Sequence, residues 1–345
     1  MGKRKALLST KLQSFSDRDK VWEKHKVNGE LVATHYADSQ FPDYSRRIAL
    51  CGESLDFELV DDQLKLKNTW FCRVRHCPIC QWRRSLKWKA KAYAMMPKVV
   101  EDFPKARWLF VTLTVKNCEI ADLRETITWM HEAFKRMSKL KAFPAKGWIK
   151  ATEVTMGQDG LAHPHFHCLL MVSPSYFSGA YYLSKERWGS MWQQSLRADY
   201  APIIDIRAVQ KRDDLAELIP EILKYQTKES DLTADREWLL ELTQQLHKTR
   251  AIAIGGVLRD YMRELANEPE DLTDEVTGEQ GEEDVLTFSW HGDEKQYILD
   301  NKVVLVILQN NTINKLYAFI PILPSSLPRR FERQSRSKSY NAILF

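Results

Sequence analysis

Histidines alternate with other residues in His163-Pro-His-Phe-His167, and the apolar run Cys168–Val172 follows directly. Side chains in a strand point to opposite faces in turn, so this pattern places all three imidazoles on one face. The apolar run predicts that the strand is central and buried. Burying several imidazoles costs free energy unless they are hydrogen-bonded or bind a metal ion. The stretch therefore predicts a buried sheet whose face carries a metal site.

A carboxylate on the preceding strand is the best additional ligand for such a site. The sequence predicts a strand over Gly147–Thr155 that forms a hairpin with the histidine strand. Glu153 would then lie near His165 and His167 across the ladder, and His163 is the alternative third ligand. Two imidazoles and a carboxylate with open positions suit Mn²⁺, Mg²⁺ or another borderline divalent ion. Such an ion could polarise a phosphate oxygen as a Lewis acid.

Four cysteines form a second candidate metal site: Cys51 lies upstream of the cluster Cys72-x4-Cys77-Pro-Ile-Cys80. Tetrahedral Zn²⁺ takes four such ligands, and short spacings between cysteines form the turns that hold it. His76 could replace one cysteine, and separate buried thiols are the alternative interpretation. A redox role is disfavoured because no thioredoxin-like pattern surrounds the pair. The spacing favours a structural zinc ion.

Charge is distributed unevenly along the chain of 345 residues, whose formal net charge is +5. The stretch Cys72–Lys116 has eleven Lys and Arg against two acids, a net charge of +9. The stretch Glu268–Asp284 has nine acids and no base. This asymmetry favours a polyanionic partner for the basic part.

A basic helix is predicted over Gln81–Met96, ending at Pro97. Its apolar side should pack inward, with these members: Trp82, Leu86, Ala90 and Tyr93. The opposite side would contact DNA phosphates. The candidate phosphate-binding residues in and beside the helix are Arg75, Arg83, Arg84, Lys87 and Lys91. An ordinary solvated helix face is the alternative, although few acids balance these charges.

A third candidate group lies in Asp213–Lys228, whose apolar residues have helical spacing. Glu221 and Tyr225 are four residues apart and would share a helix face, with Lys228 about one turn further. A phenol can act as a nucleophile when its target is activated, and Lys228 could help neutralise the charge that develops. Glu221 could act as a base for water. An amphipathic helix with a surface tyrosine would show the same local pattern.

Several classes of protein are disfavoured by what the sequence lacks. It has no apolar stretch that could span a bilayer, and its first residues, Met1-Gly-Lys-Arg-Lys, do not form a signal peptide. A cytoplasmic protein is therefore expected, without a membrane partner. No G-x-x-x-x-G-K-[ST] phosphate loop occurs, so any unwinding of DNA would need a host helicase.

Taken together, these motifs resemble the HUH endonuclease superfamily. The resemblance rests on His165-Phe-His167, the upstream strand Phe110-Val-Thr-Leu-Thr114 and Tyr225-x-x-Lys228, in this arrangement. The fuller set, which adds the cysteine cluster, Glu153 and Glu221, is similar to the replication initiator (Rep) family of small rolling-circle plasmids. The similarity covers about residues 45–265.

The resemblance implies an α+β fold with a central antiparallel sheet, flanking helices and a small zinc-binding module. It also implies that His165, His167 and Glu153 hold the catalytic metal. Tyr225 would nick one strand of the origin, leaving a 5′-phosphotyrosine and a 3′-OH primer. Glu221 would activate water at termination, in place of a second tyrosine. The implied partners are plasmid origin DNA and the host helicase, polymerase and single-strand-binding protein.

The sequence divides into five expected segments. They are an N-terminal extension (1–50), a zinc module with the basic helix (51–100), a nicking-joining domain (101–266), an acidic linker (267–284) and C-terminal strands with a basic tail (285–345).

Two other functions compete with a plasmid initiator. The first is a zinc-containing DNA-binding regulator without catalysis, which would need neither Glu221 nor Tyr225. The second is a transposase or relaxase of the same superfamily. The cysteine cluster and Glu221 argue against it, because both resemble features of the Rep family.

Overall fold

Two antiparallel sheets organise the part of the chain that the structure describes. The structure is a computed structural model, and it describes residues 10–60, 63–209, 219–224, 227–266, 285–300, 306–307 and 317–318. The α-helices are α1 (Leu12–Phe15), α2 (Val21–Tyr36), α3 (Pro42–Leu50), α4 (Pro78–Asp102), α5 (Leu123–Met137), α6 (Lys185–Leu196), α7 (Glu229–Ala234), α8 (Arg236–Gln245) and α9 (Leu258–Ala266). No described helix combines the length and the apolar character that crossing a membrane requires.

Eleven strands are described, and nine of them belong to the two larger sheets. The strands are β1 (Ser54–Val60), β2 (Gln63–Thr69), β3 (Arg107–Thr114), β4 (Ala145–Met156), β5 (Ala162–Val172), β6 (Ile204–Ala208), β7 (Ile252–Gly256), β8 (Leu286–His291), β9 (Gln296–Leu299), β10 (Val306–Ile307) and β11 (Tyr317–Ala318). The mixture of helices with antiparallel sheets confirms the predicted α+β class.

The larger sheet has five strands in the order β6-β3-β5-β4-β7, and every neighbouring pair is antiparallel. The histidine strand β5 lies at its centre, as predicted, and almost all of its residues are buried. The hairpin between β4 and β5 turns at Gly157–Gly160, where Gly160 has a φ of +79°. Glycine adopts this left-handed conformation without a steric penalty.

Helices cover both faces of the five-stranded sheet. On one face, Phe166 and Leu170 of β5 pack among residues of α5 and α6 such as Phe134 and Trp188. On the other face, Leu169 and its neighbours pack against α4, α9 and the segment 219–223. The imidazoles of β5 share this second face, because residues 163 to 169 alternate. Burial on both faces explains the apolar run that follows the histidines.

The second sheet has four strands in the order β2-β1-β8-β9 and belongs to the unit that holds the cysteines. Its core combines residues from distant parts of the sequence, which are Trp22, Tyr36, Phe57, Cys77, Trp238 and Phe288 among others. Residues 10–50 and 286–299 therefore pack together with the cysteine cluster. The expected boundaries at residues 50 and 285 run through this packed unit, because β1 pairs directly with β8.

Parts of the expected segments lie outside the described residues. These parts are the first nine residues of the N-terminal extension (1–50), the acidic linker (267–284), and the chain after residue 318, which includes the basic tail.

Helix α4 begins before the predicted start and continues past Pro97 to Asp102. Proline lacks an N–H and costs a helix about 3 kcal/mol in its interior. Burial of Met95 and Val99 on the two sides of Pro97 offsets this cost, since both pack against the five-stranded sheet. The predicted end at Pro97 was therefore wrong.

The predicted faces of α4 were also wrong. Leu86, Ala90 and Tyr93 are exposed. The buried residues of the helix are instead Pro78, Ile79, Cys80, Gln81, Arg83, Ser85, Ala92, Met95, Met96 and Val99. Only Trp82 among the predicted inward residues packs against a core, and it is partly buried there. The helix has two successive environments, the cysteine-bearing unit and then the sheet, so one simple apolar stripe does not describe it.

Candidate functional site

Three side chains converge on one face of the central sheet. Nε2 of His165 lies 3.1 Å from Nε2 of His167, and Oε2 of Glu153 lies 3.1 Å from His167 Nε2 and 3.6 Å from His165 Nε2. The register explains the convergence: Glu153 on β4 lies directly opposite His165 on β5. All three are almost fully buried. This group, which we call the triad, is the one predicted from the sequence.

The spacing of the triad fits a bound divalent ion. Neighbouring ligands of an octahedral ion at about 2.1 Å lie about 3 Å apart, close to the distances between these donor atoms. Two imidazole nitrogens and one carboxylate oxygen are a donor set for borderline divalent ions, and the three leave further positions open. The donor atoms do not distinguish Mn²⁺ from Mg²⁺ or a related ion.

The other ring nitrogen of each histidine has a partner. Nδ1 of His167 lies 3.2 Å from the hydroxyl of Thr112, and Nδ1 of His165 lies 3.2 Å from the carbonyl oxygen of His163. Such partners orient an imidazole and leave Nε2 for the metal. Thr112 is the direct neighbour of His167 on β3, in the register that the sheet imposes.

Electrostatics favour the ionised form of Glu153. Burial by itself would raise the pKa of Glu153, but hydrogen bonds from His165 and His167 and the charge of Lys224 hold it well below its usual range. Nζ of Lys224 lies 3.6 Å from Oε2 of Glu153. The carboxylate is thus available as a charged ligand at neutral pH.

His163, the alternative third ligand, lies outside the triad. Its Nδ1 lies 2.7 Å from Oδ1 of Asn117, and the ring is half-buried. Burial, followed by the charge of His165, lowers the pKa of His163. Glu153 and not His163 therefore completes the group that could hold an ion.

The predicted helix over Asp213–Lys228 is only partly described. Residues 219–222 are helical, but the helix does not reach Lys228, which is instead the N-cap of α7. Glu221 lies 3.4 Å from Arg207 through one carboxylate oxygen. Tyr225 lies outside the described residues. The residue before it in the chain is Lys224, which contacts the triad through Glu153.

The four cysteines meet as predicted. The sulfurs of Cys51 and Cys72 each lie 3.6 Å from that of Cys80, and Cys77 completes a buried group of four. Zinc with four bonds of about 2.3 Å separates its sulfur ligands by about 3.8 Å, so the group fits a tetrahedral zinc ion. His76 is buried nearby but is not part of this group, so it does not replace a cysteine.

The surroundings of the cysteines favour a thiolate. Hydrogen bonds from Cys51, Cys72 and Cys77 hold the pKa of Cys80 well below its usual range. Backbone N–H groups also point at sulfur: Arg73 donates to Cys80 at 3.3 Å. Contacts with the other sulfurs instead raise the pKa of Cys51, and burial raises the pKa of Cys77. Cys80 is therefore the member of the group that is most readily a thiolate, the form that binds metal ions.

Two of the predicted phosphate-binding arginines bond to the backbone. The guanidinium of Arg75 donates to the carbonyl oxygens of Leu246 and Thr249, both at 2.8 Å. That of Arg84 donates to the carbonyl oxygen of Arg73 at 2.8 Å. Both side chains therefore hold loops beside the cysteine cluster in place.

Arg83 was predicted on the outer side of α4, but it is only 7% exposed. Its guanidinium lies 5.6 Å from the ring centre of Trp22 and 5.5 Å from that of Trp82. Lys87 and Lys91 are partly exposed. The accessible part of the predicted basic surface is thus centred on these two lysines.

Sequence reasoning missed Thr112 and Lys224. Thr112 alternates with Thr114 in the strand Phe110-Val-Thr-Leu-Thr114, so its place on one face could have been predicted once the pairing partner was known. Lys224 gave no signal beyond its position next to Tyr225.

Comparison with known proteins identifies relatives along most of the chain. The profile of the replication protein family Rep_1 matches residues 63–298. A Rep protein of Streptococcus pneumoniae is 32% identical over 299 residues, which cover 83% of this chain and 93% of that protein. A Rep protein of Lactiplantibacillus plantarum is 35% identical over 259 residues, which cover 71% of this chain and 81% of that protein. No solved structure matches.

Proposed function

This chain belongs to the Rep family of plasmid replication proteins, and from that premise we propose that it starts rolling-circle replication by nicking one strand of the plasmid origin. Tyr225 is the proposed nucleophile and the triad is the proposed metal centre. The product would be a 5′-phosphotyrosine on the protein and a free 3′-OH that primes synthesis. The enzyme would be an HUH-type endonuclease with a single tyrosine.

One observation carries this proposal: two imidazoles and an ionised carboxylate converge on one sheet face, beside the residue that precedes Tyr225. Purely structural histidines would need no such convergence, because a hydrogen bond to each ring would satisfy them. A zinc-containing regulator would need no second metal group either. Lys224, which precedes Tyr225 in the chain, supports this assignment by its contact of 3.6 Å with Glu153.

The chemistry divides between the triad and the tyrosine segment. A divalent ion held by His165, His167 and Glu153 would supply Lewis-acid polarisation of the scissile phosphate. Tyr225 would then attack phosphorus through its phenolic oxygen, which loses its proton. The 3′ oxygen leaves and takes up a proton. The phosphodiester is exchanged for a phosphotyrosine of similar energy, so strand transfer requires no ATP.

Glu221 and Lys228 have supporting roles in the proposal. Lys228 would help stabilise the phenolate of Tyr225, whose ordinary pKa is about 10. Glu221 would activate water at termination and so release the protein from DNA by hydrolysis. The side chain of Glu221 is about one-third exposed, which leaves it accessible to water.

The cysteine-bearing unit and α4 would hold the DNA. A zinc ion bound by the four cysteines would have a structural role, because all four ligand positions are filled and none remains for substrate. Lys87 and Lys91 would contact phosphates of the origin. Unwinding and synthesis would require the host helicase, polymerase and single-strand-binding protein.

Incubation with a single-stranded oligonucleotide from the origin of the carrier plasmid tests the proposal. With Mn²⁺ the wild-type protein should form a covalent adduct, which shifts its mobility in a denaturing gel. The adduct should be absent in Tyr225→Phe and after chelation. Tyr181→Phe is a matched control, since Tyr181 is 70% exposed and precedes α6.

Two outcomes would contradict the proposal. If the wild-type protein bound the oligonucleotide but formed no adduct, a DNA-binding regulator would be favoured. If the cut fell outside the origin of the carrier plasmid, a transposase or relaxase would be favoured.

A further inference from the structure

A cavity of about 420 Å³ lies between the cysteine-bearing unit and the central sheet. Its lining comes from separate parts of the chain, around residues 44–47, 73–88, 223–224 and 243–252. This volume lies within the range of small-molecule sites in proteins. The cavity includes neither the triad nor the cysteine sulfurs.

The lining is strongly basic. Its cationic members are Arg47, Arg73, Arg75, Arg84, Lys224 and Lys248. None of the described lining residues is Asp or Glu. Arg47 pairs with Asp43 at 3.5 Å and Lys224 with Glu153 at 3.6 Å, and both of these acids lie outside the lining. Burial, and then the charges of Arg84 and Arg124, lower the pKa of Arg75 to about 10, as expected where like charges lie close together. Such a cavity attracts anions.

The lining also offers aromatic surface. Tyr44 and Trp88 are half-buried there, and the remaining lining includes few other apolar side chains of that size. Nucleic-acid bases stack on such rings regardless of sequence, which strengthens binding about 5- to 100-fold per base. Cations and aromatic rings together match a nucleotide better than an inorganic anion.

Lys224 connects the cavity with the triad. It lines the cavity and also lies 3.6 Å from Glu153. A DNA strand whose scissile phosphate lies at the triad would therefore lie close to the cavity lining at Lys224. This continuity favours a nucleotide within a strand over a free nucleotide.

We propose that the cavity binds one nucleotide of the single-stranded DNA next to the cut, with its phosphate at Arg73 and Lys248 and its base against Trp88 or Tyr44. The inference rests on the proposed function and adds the place where the strand is held. It predicts that binding depends on one base near the cleavage site more than on its neighbours.

The first experiment tests the role of the cationic lining residues. It measures binding of a fluorescent origin oligonucleotide to the full-length protein in EDTA, so that no cutting occurs. The variants are Arg73→Asn and Lys248→Asn, because both residues have a φ of 57°, which asparagine tolerates. Each substitution should weaken binding about 3- to 10-fold. Each should also reduce the slope of the logarithm of the binding constant against the logarithm of the salt concentration by about 0.7, as for one lost phosphate contact. Lys139→Asn, an exposed control beyond α5, should bind as wild type.

Oligonucleotides with one abasic position test the pocket for the base. As the abasic position is moved along the strand, one position should lose about 5- to 100-fold in affinity. Ala251→Phe, which adds volume in the lining without charge, should abolish this difference. Thermal melting of each variant verifies that it is folded.

Nicking is measured separately, so the two proposals can fail independently. His165→Ala should abolish nicking and keep oligonucleotide binding. The cavity proposal is wrong if Arg73→Asn and Lys248→Asn bind the oligonucleotide like wild type, or if no single abasic position lowers the affinity more than the others. Either result would stand even if the wild-type protein nicks the origin. Free dTMP serves as a competitor of the oligonucleotide. If dTMP displaces the oligonucleotide at a concentration lower than the Kd of the protein for the oligonucleotide, the cavity is a site for free nucleotides, and the proposal is also overturned.

Discussion

The hydroxyl of Thr112 lies 3.2 Å from Nδ1 of His167, its direct neighbour across the β3–β5 ladder. One ring nitrogen of His167, Nδ1, thereby has its partner on the neighbouring strand β3. The other, Nε2, belongs to the triad. The orientation of a metal ligand thus depends on a residue that binds no metal.

Thr112→Val should weaken Mn²⁺ binding about 10- to 100-fold, as expected for loss of a group that orients a ligand. Titration calorimetry of the purified protein measures this. Thr114→Val is the matched control, since that hydroxyl, on the same strand, bonds to the carbonyl oxygen of Ile203. Equal Mn²⁺ affinities of the two variants would show that Thr112 does not orient His167.

Cys77→Ser should reduce bound zinc from one ion per chain to nearly none and make the protein less soluble. The loss follows because zinc binding contributes folding free energy, on the order of 10 kcal/mol in small zinc domains. Metal analysis and thermal melting measure the two effects. Cys118→Ser, outside the group of four, should retain zinc. Unchanged zinc in Cys77→Ser would contradict the ligand assignment.

Glu221→Ala should nick DNA as wild type does but remain covalently attached after one round. A general base contributes about 10²- to 10⁴-fold, so release should slow by at least 10². The fraction of adduct over time is the measurement. Glu237→Ala, at an exposed position of α8, is the control and should be released normally. Normal release of Glu221→Ala would remove Glu221 from the mechanism.

Lys87→Ala and Lys91→Ala should each weaken DNA binding and reduce its salt dependence by about 0.7–0.9. Arg83→Met should instead lower stability by about 1 kcal/mol, because the guanidinium packs on two indole rings. Binding measured at several salt concentrations, with urea unfolding, separates the two effects. A reduced salt dependence in Arg83→Met would place that residue at the DNA after all.

The buried side chain of Lys150 should make the free energy of unfolding depend on pH. Its Nζ lies 2.7 Å from Nδ1 of His131 and 3.9 Å from the Phe166 ring, and burial lowers the pKa of Lys150 to about 8. Between pH 8 and 10.5 the unfolded chain retains a proton that the folded protein has lost, so this group makes stability rise with pH. At pH 7 the charged form is destabilised by at most about 3 kcal/mol.

Lys150→Met should therefore be more stable than wild type at pH 7, and the difference should shrink by pH 9. Urea unfolding at both pH values measures it. Lys146→Met, an exposed change on the same strand, should shift stability equally at the two pH values. A constant difference for Lys150→Met would mean that Lys150 keeps an ordinary pKa.

The triad could be predicted from the sequence because its determinants are local. Histidines at every second position define a face, and the turn at Gly157–Gly160 pairs β4 with β5. The register then brings Glu153 opposite His165 without any long-range information. The four cysteines could be predicted for a related reason, since three of them lie within nine residues.

The faces of α4 and the boundaries of the cysteine-bearing unit could not be predicted in this way. Arg83 is buried because Trp22 and Trp82 meet around it, and Trp22 comes from a helix sixty residues earlier in the chain. The pairing of β1 with β8 joins segments that are still further apart. Nothing local in either segment indicates its partner. The cavity residues Arg47, Arg73 and Lys248 are likewise brought together only by the tertiary fold.

The pairing of β1 with β8 also constrains how the protein is made. Translation delivers the cysteines early, but the sheet beside them lacks two of its four strands until residue 299 has left the ribosome. Until then β1 has an open edge that could pair with another nascent chain. A message truncated before the codon for Leu286 would therefore yield a chain with the complete triad and an aggregation-prone N-terminal half.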